Sequence, residues 1–139
     1  MEFIYSDGGR SEAGYKGNAK DCVVRSIAIV TRIPYKKVYE DLNRIAKLLN
    51  NKSRISTSRG GVHKDVYNSY LRYLGYEWIP TMKIGQGCKV HLKADELPEG
   101  RLIVRISRHM TAVIDGIHYD AWNQSKNGTR CVYGYFKKK

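Results

Sequence analysis

Three residues spread along this 139-residue chain belong to types that together make an activated nucleophile: Cys22, His109 and Asp120. Cys22 follows Asp21, which sits at an N-cap position, and precedes Val23, Val24, Ile27, Ala28 and Val30 at near-helical spacing. In the first turn of such a helix the backbone N–H groups lack partners and the dipole is positive. A thiolate is stabilised there, and the same amides can hold the oxyanion of a tetrahedral intermediate. A free cysteine on a buried helix is otherwise a small hydrophobe, so this chemistry requires a base.

Hairpin arithmetic selects that base among the four histidines. Asp115-Gly116 is a strong two-residue turn signal between apolar runs at 110–114 and 117–122. With that turn, Ile114 faces Ile117, Val113 faces His118 and Thr111 faces Asp120; extending the register sets His109 opposite Trp122. Residues 109, 111 and 113 then share a face with 118, 120 and 122. His109 and Asp120 become diagonal neighbours, about 7–8 Å apart at the backbone, with Trp122 beside them to keep water from their hydrogen bond. An imidazole oriented by a carboxylate is the base a thiol nucleophile needs. Asp115 is assigned to the turn, and Asn123 is the fallback third member, reached through a one-residue bulge.

Asp21-Cys22 opening a buried helix, the distant run His109-Met-Thr-Ala-Val-Ile-Asp-Gly and then Asp120-Ala-Trp122 resemble the papain-like cysteine peptidase superfamily. The histidine run is similar to the bacterial double-glycine peptidase branch, and Asp120-Ala-Trp122 to the Asn-Ser-Trp of papain. The chain is also similar to short proteins encoded by phages and bacteria. The resemblance covers residues from about 18 to 122. It implies a papain-like fold with Cys22 as nucleophile, His109 as base, Asp120 as its orienter and Trp122 as shield. The superfamily's oxyanion glutamine, six residues before the nucleophile, is Tyr15 here, so Asn18 is the nearest side-chain amide substitute. Within the superfamily, Cys22-Val-Val-Arg25-Ser26 and His118-Tyr119-Asp120 resemble ovarian-tumour-type deubiquitinases instead, which would make His118 the base; Ala19 stands where that family has an aspartate.

These residues must be positioned by a fold whose class is legible from apolar periods. Residues 1–20 carry no period and are expected to be an irregular arm. Helices are expected from Asp21 to a stop at Pro34, from Pro34 along the stripe Tyr35, Val38, Tyr39, Leu42, Ile45, Ala46 and Leu49, and from about Val62 to Leu74 with Gly75 as the stop. A polar loop at 50–61 separates the last two. Past Gly75 the period changes to strands at 76–81, 101–107, 110–114, 117–122 and 131–136. Helices first and an antiparallel sheet second make an α+β chain, a single domain over 1–139.

Composition bounds the rest. The chain is 42% hydrophobic and 27% charged, which is globular, and no apolar run approaches a membrane span. The N-terminus lacks the pattern of a secretory signal, and three cysteines without close pairing argue against a disulfide framework. A soluble cytoplasmic protein is expected, with Cys131 in the core. Cys88 and His91 form only a lone C-x2-H, and there is no phosphate loop or GxGxxG, so neither metal nor cofactor is expected. His63 and His91 are assigned to the surface, and Arg25 to pairing with a carboxylate.

With 25 Lys and Arg against 13 Asp and Glu, the net charge is +12. Such a surplus suits an acidic partner. The basic residues are scattered over Lys36, Lys37, Arg44, Lys47, Arg54, Arg59 and 137–139. The Gly14-Tyr15-Lys16-Gly17 motif and the series Tyr67, Tyr70, Tyr73, Tyr76 are weak signals of nucleic-acid binding and are more simply loop and helix packing. Two functions remain: a cysteine hydrolase, peptidase or isopeptidase, acting on a protein or peptide substrate through a Cys22 thioester, and a non-catalytic basic protein that holds nucleic acid or an acidic protein.

Overall fold

A computed structural model of the chain describes residues 1–49 and 56–139. The part of the predicted polar loop at 50–55, including Arg54, lies outside the described residues. Three helices fall mostly in the first half: α1 (Cys22–Thr31), α2 (Tyr35–Leu49) and α3 (Lys64–Tyr73). Six strands, mostly in the second half, are β1 (Phe3–Tyr5), β2 (Tyr76–Pro80), β3 (Arg101–Ile106), β4 (His109–Ile114), β5 (Ile117–Asp120) and β6 (Val132–Lys138). The class is α+β. One sheet holds all six strands in the order β1-β5-β4-β3-β6-β2.

The predicted hairpin forms in the predicted register, with Ala112 opposite Tyr119, Val113 opposite His118 and Ile114 opposite Ile117. Asp115 and Gly116 both take positive φ, 49° and 78°, as a tight primed turn requires. Strand β5 ends at Asp120, however, so Trp122 lies past the pairing. Two cores flank the centre of the sheet. Val24, Ile27, Val38, Leu42 and Leu71 from the helices pack on Ile103, Met110, Ala112 and Phe136. Leu102, Val104, Ile106 and Val113, alternate residues of β3 and β4, meet Leu92, Leu97 and Val132 on the other face. Burial on both faces explains why β3 and β4 are apolar almost throughout.

Four expectations are corrected. The first twenty residues are not irregular throughout: β1 pairs parallel to β5, setting Phe3, Ile4 and Tyr5 beside His118, Tyr119 and Asp120, so the sheet is mixed rather than antiparallel. Three residues are too few to show a period, and their partner strand is near the other end of the chain. Helix α1 ends in a left-handed Arg32 (φ 64°) whose N–H returns to the Ala28 carbonyl, before Pro34 is reached. Helix α3 starts at Lys64 rather than Val62, with His63 at its N-cap accepting the Asp65 N–H. Cys131 is not a core thiol: Cys88 and Cys131 are joined in a disulfide, and Cys22 is the free cysteine. The expectation that the cysteines form no disulfide is overturned, and with the bond formed Cys88 has no thiolate to offer beside His91. Among the described residues, no helix is long and apolar enough to cross a membrane.

The chain after β1 runs directly over α1. Gly8, at φ 71°, lies so close that a Cβ there would come within 2.9 Å of the Arg25 carbonyl oxygen. We expect Gly8→Ala to cost about 1–3 kcal/mol of stability from left-handed strain and this clash together. Gly14, at φ 89° with open space around it, is the control: Gly14→Ala should cost only about 1 kcal/mol. Thermal unfolding of the two variants side by side checks the difference.

Candidate active site

His109 begins β4 and Asp120 ends β5, so the tight turn between the strands brings two residues far apart on the hairpin to the same end. The His109 ring Nε2 lies 2.7 Å from Asp120 Oδ2. The His109 ring and the Met110 N–H also stand close enough to the Cys22 sulfur to act on its charge, and with Nε2 engaged Nδ1 is the ring nitrogen left to face it. The first turn of α1 therefore meets the start of β4, and Cys22, His109 and Asp120 form one connected line.

Asp120 is 4% exposed, and each of its oxygens has defined partners. Oδ2 accepts from His109 and from the Thr111 hydroxyl at 2.6 Å, and Oδ1 accepts the Ala121 N–H at 2.6 Å. Arg25 Nη2 stands 3.6 Å from Oδ1. Since Thr111 donates to Asp120, its oxygen accepts from His118 Nε2 at 2.9 Å, which fixes the His118 tautomer. His118 is fully buried, with the Phe3 ring edge-on at 5.2 Å and Nδ1 without a partner. It faces Thr111 rather than Cys22.

Asp21 occupies the N-cap position of α1, but its side chain makes no cap hydrogen bond. Its carboxylate is taken by other groups: Arg25 Nη1 on Oδ1, and Tyr35, which donates at 2.5 Å, with Arg10 Nε at 3.3 Å, on Oδ2. The first-turn amides of α1 are thereby left uncapped beside the thiol. The negative charge of Asp21 is met by two guanidiniums, so it does not act on Cys22 alone.

Titration follows from these contacts. Burial pushes the Cys22 thiol up, but the hydrogen bond and positive charge of His109, the Met110 N–H and the Arg25 charge outweigh it and hold the thiol below its ordinary value. Burial pulls His109 down, but Asp120 and the Cys22 sulfur raise it to about 9. Burial raises the Asp120 carboxyl, and hydrogen bonds from His109 and Thr111 bring it below its ordinary value. The favoured state is a thiolate–imidazolium pair backed by a carboxylate. His118 is pushed by burial down to about 4 and is neutral at physiological pH.

The other candidates fall elsewhere. Trp122 is 67% exposed, so it is not the shield expected for the His109–Asp120 bond; Asp120 is enclosed by Arg25, Thr111 and the β1 pairing. Asn18 is exposed, on a surface groove with Thr57 and Arg59. Asn123 accepts from the backbone and hydroxyl of Ser125 in its own turn. His91 pairs with Glu96 at 3.1 Å. Arg10, Tyr35 and the support role of Thr111 escaped the sequence reading. The register did place Thr111 opposite Asp120, which was signal enough; nothing local marks Arg10 or Tyr35.

Comparison with protein-family models, with curated proteins and with solved structures finds no match. The chemistry is read from the geometry.

Two outcomes follow. Alkylation of Cys22 should stay fast at about pH 6, well below the ordinary thiol range, and slow by about tenfold or more in His109→Ala, where burial is left unopposed by the imidazolium. Mass spectrometry of iodoacetamide-treated protein measures both. His118, whose pKa is lowered on folding, binds its proton more readily when unfolded. Stability should therefore fall as pH drops from about 6.5 towards 4, by up to a few kcal/mol, and this sensitivity should shrink in His118→Gln. Denaturant titrations across that range test the sign.

Proposed function

We propose that this chain is a cysteine hydrolase of papain-like architecture, a peptidase or isopeptidase with Cys22 as nucleophile, His109 as general base and acid, and Asp120 as the group that orients His109. The observation that carries the reading is the connected line from Asp120 through His109 Nε2 and Nδ1 to a cysteine on an uncapped helix N-terminus. A line of these three types is what acyl transfer through a thiol requires.

The steps follow from the geometry. The Cys22 thiolate attacks the carbonyl carbon of an amide, and the developing oxyanion is met by the free amides of the first turn of α1. As the C–N bond breaks, the imidazolium of His109 gives its proton to the leaving amine, and the acyl group remains on Cys22 as a thioester. Neutral His109 then takes a proton from water as the oxygen adds to the thioester carbon. Collapse releases a carboxylic acid and returns the thiolate–imidazolium pair. Asp120 keeps Nδ1 aimed at the sulfur and stabilises the positive ring, and Thr111 and Arg25 hold Asp120 still.

Cys22→Ala should abolish turnover of peptide or isopeptide substrates with the fold intact, and Asp120→Asn should reduce kcat more than it raises KM. Activity should rise in acid as the thiolate forms, at a pH below the ordinary thiol range, and fall again near about pH 9 as His109 loses its proton. A Cys22→Ala variant with full activity would sink the assignment.

The charge of +12 favours a second reading, a non-catalytic protein that holds nucleic acid or an acidic protein. It requires affinity for DNA or heparin that drops steeply with salt. Retention that is indifferent to salt between low and physiological ionic strength removes it.

A further inference from the structure

A concavity of about 600 Å³ lies between α3 and the sheet edge formed by β2, β6 and β3. Its apolar surface is built around Trp78 and Phe136, whose ring centroids are 4.9 Å apart. Trp78 is 43% exposed yet closely seated. On β6, Gly134 lacks a side chain where a Cβ would come within 2.4 Å of the indole Cζ2. An aromatic surface held in place this way meets a ligand with little ordering cost.

The concavity is connected to the site through its wall. Tyr67, on α3, meets Phe136 edge-on at 6.0 Å, and Arg105 lines the same wall. Arg105, which lines the concavity with Tyr67, links it to the site by donating through Nη1 to the His109 carbonyl at 3.2 Å. The rim is basic: Lys64 and Arg72 from α3, Arg105 from β3 and Lys139 line it, against the single carboxylate of Glu77. None of these four cations is in an ion pair among the described residues.

We propose that this groove binds an acidic peptide segment carrying an aromatic or large apolar side chain, and that the segment is the part of the substrate flanking the bond Cys22 attacks. The word substrate rests on the hydrolase reading; the binding does not. Unneutralised cations around a fixed indole complement carboxylates flanking an apolar anchor. Single-stranded nucleic acid shares part of that chemistry. However, the groove holds a few side chains rather than tracking a polymer, and its Arg105 reaches the carbonyl of His109, the base of a site suited to an acyl carbon, which a nucleic acid does not carry.

The test uses fluorescein-labelled short peptides of Glu and Phe, their Lys and Phe counterparts and a short labelled oligo(dT), titrated by anisotropy against the full chain. The acidic peptide should bind at least about tenfold more tightly than the basic one. It should lose about tenfold or more in the double variant Lys64→Glu, Arg72→Glu, and slow iodoacetamide labelling of Cys22. Both substitutions are on the exposed side of α3, so folding is retained; Gly134→Ala, which displaces Trp78, should weaken binding without changing charge. Acidic-peptide binding that ignores the charge reversal, or tighter binding of oligo(dT) at the same groove, overturns the proposal. The two readings separate cleanly. Charge-dependent peptide binding beside a Cys22 that labels no faster than a free thiol supports the groove and removes the hydrolase. A fast-labelling Cys22 with no acidic-peptide binding does the reverse.

Discussion

The site depends on one buried cation. Arg25, only 8% exposed, stands between two buried carboxylates, Asp21 at the start of α1 and Asp120 at the end of β5. A guanidinium taken out of water is costly unless its charge is matched, and the two carboxylates on either side match that of Arg25, although its buried Nε has no hydrogen-bond partner among the described residues. Leaving any one of the three groups alone would bury an uncompensated charge. The first turn of the nucleophile helix is therefore held against the strand that carries the orienting carboxylate. Arg25 and His109, both held by Asp120, together set where Cys22 sits relative to that carboxylate.

The N-terminal segment completes this clamp. Strand β1 pairs along β5 up to Asp120, Ser6 donates to the Asp120 carbonyl at 2.9 Å, and Gly8 presses on the Arg25 backbone. Arg10 then reaches Asp21. A stretch that carries no apolar period thus acts as a strap around the charged cluster, contributing to its electrostatics as well as its shape. The same strap packs Phe3 edge-on against the buried His118, whose burial keeps it neutral and whose ring N–H is placed on Thr111. His118, Thr111 and Asp120 form a chain of fixed direction, with His109 at its far end. Networks of this kind rigidify a site when every member but one lone pair is satisfied.

Much of the architecture was legible beforehand, for a specific reason. Asp115-Gly116 admits few backbone conformations, so it sets the register of β4 and β5, and the register sets which residues share an end of the hairpin. His109 and Asp120 could be paired on that basis alone. The stripes of α1 and α2 and the change of period at Gly75 are likewise local, repeated patterns. Where the pattern was short or its partner distant, legibility ended. Three residues of β1 are below the length at which alternation means anything. Cys88 and Cys131 meet because the loop before β3 folds back on the start of β6, with His91 bridging Cys131, and no spacing rule encodes that. The apolar pattern of β5 continues in sequence to Trp122, but the strand stops at Asp120, whose side chain takes up the Ala121 N–H at the point where the ladder ends.

By itself the sequence determined the class of the fold, the hairpin register, the helix that begins with Cys22 and the types of group available for chemistry. These follow from constraints acting over a few residues: steric limits on φ in a turn, and periods of burial in helices and strands. The tertiary structure alone decided that His109 Nε2 is engaged by Asp120, that the Asp21 carboxylate is taken by Arg25, Arg10 and Tyr35 rather than by the amides of α1, that Arg25 bridges two elements, and that an aromatic groove with a basic rim lies between α3 and the sheet edge. Each of those depends on charges and rings from separate parts of the chain meeting at distances of a few ångströms, where burial makes their interactions strong. Such distances are a property of the packed molecule, set only when every element is in place.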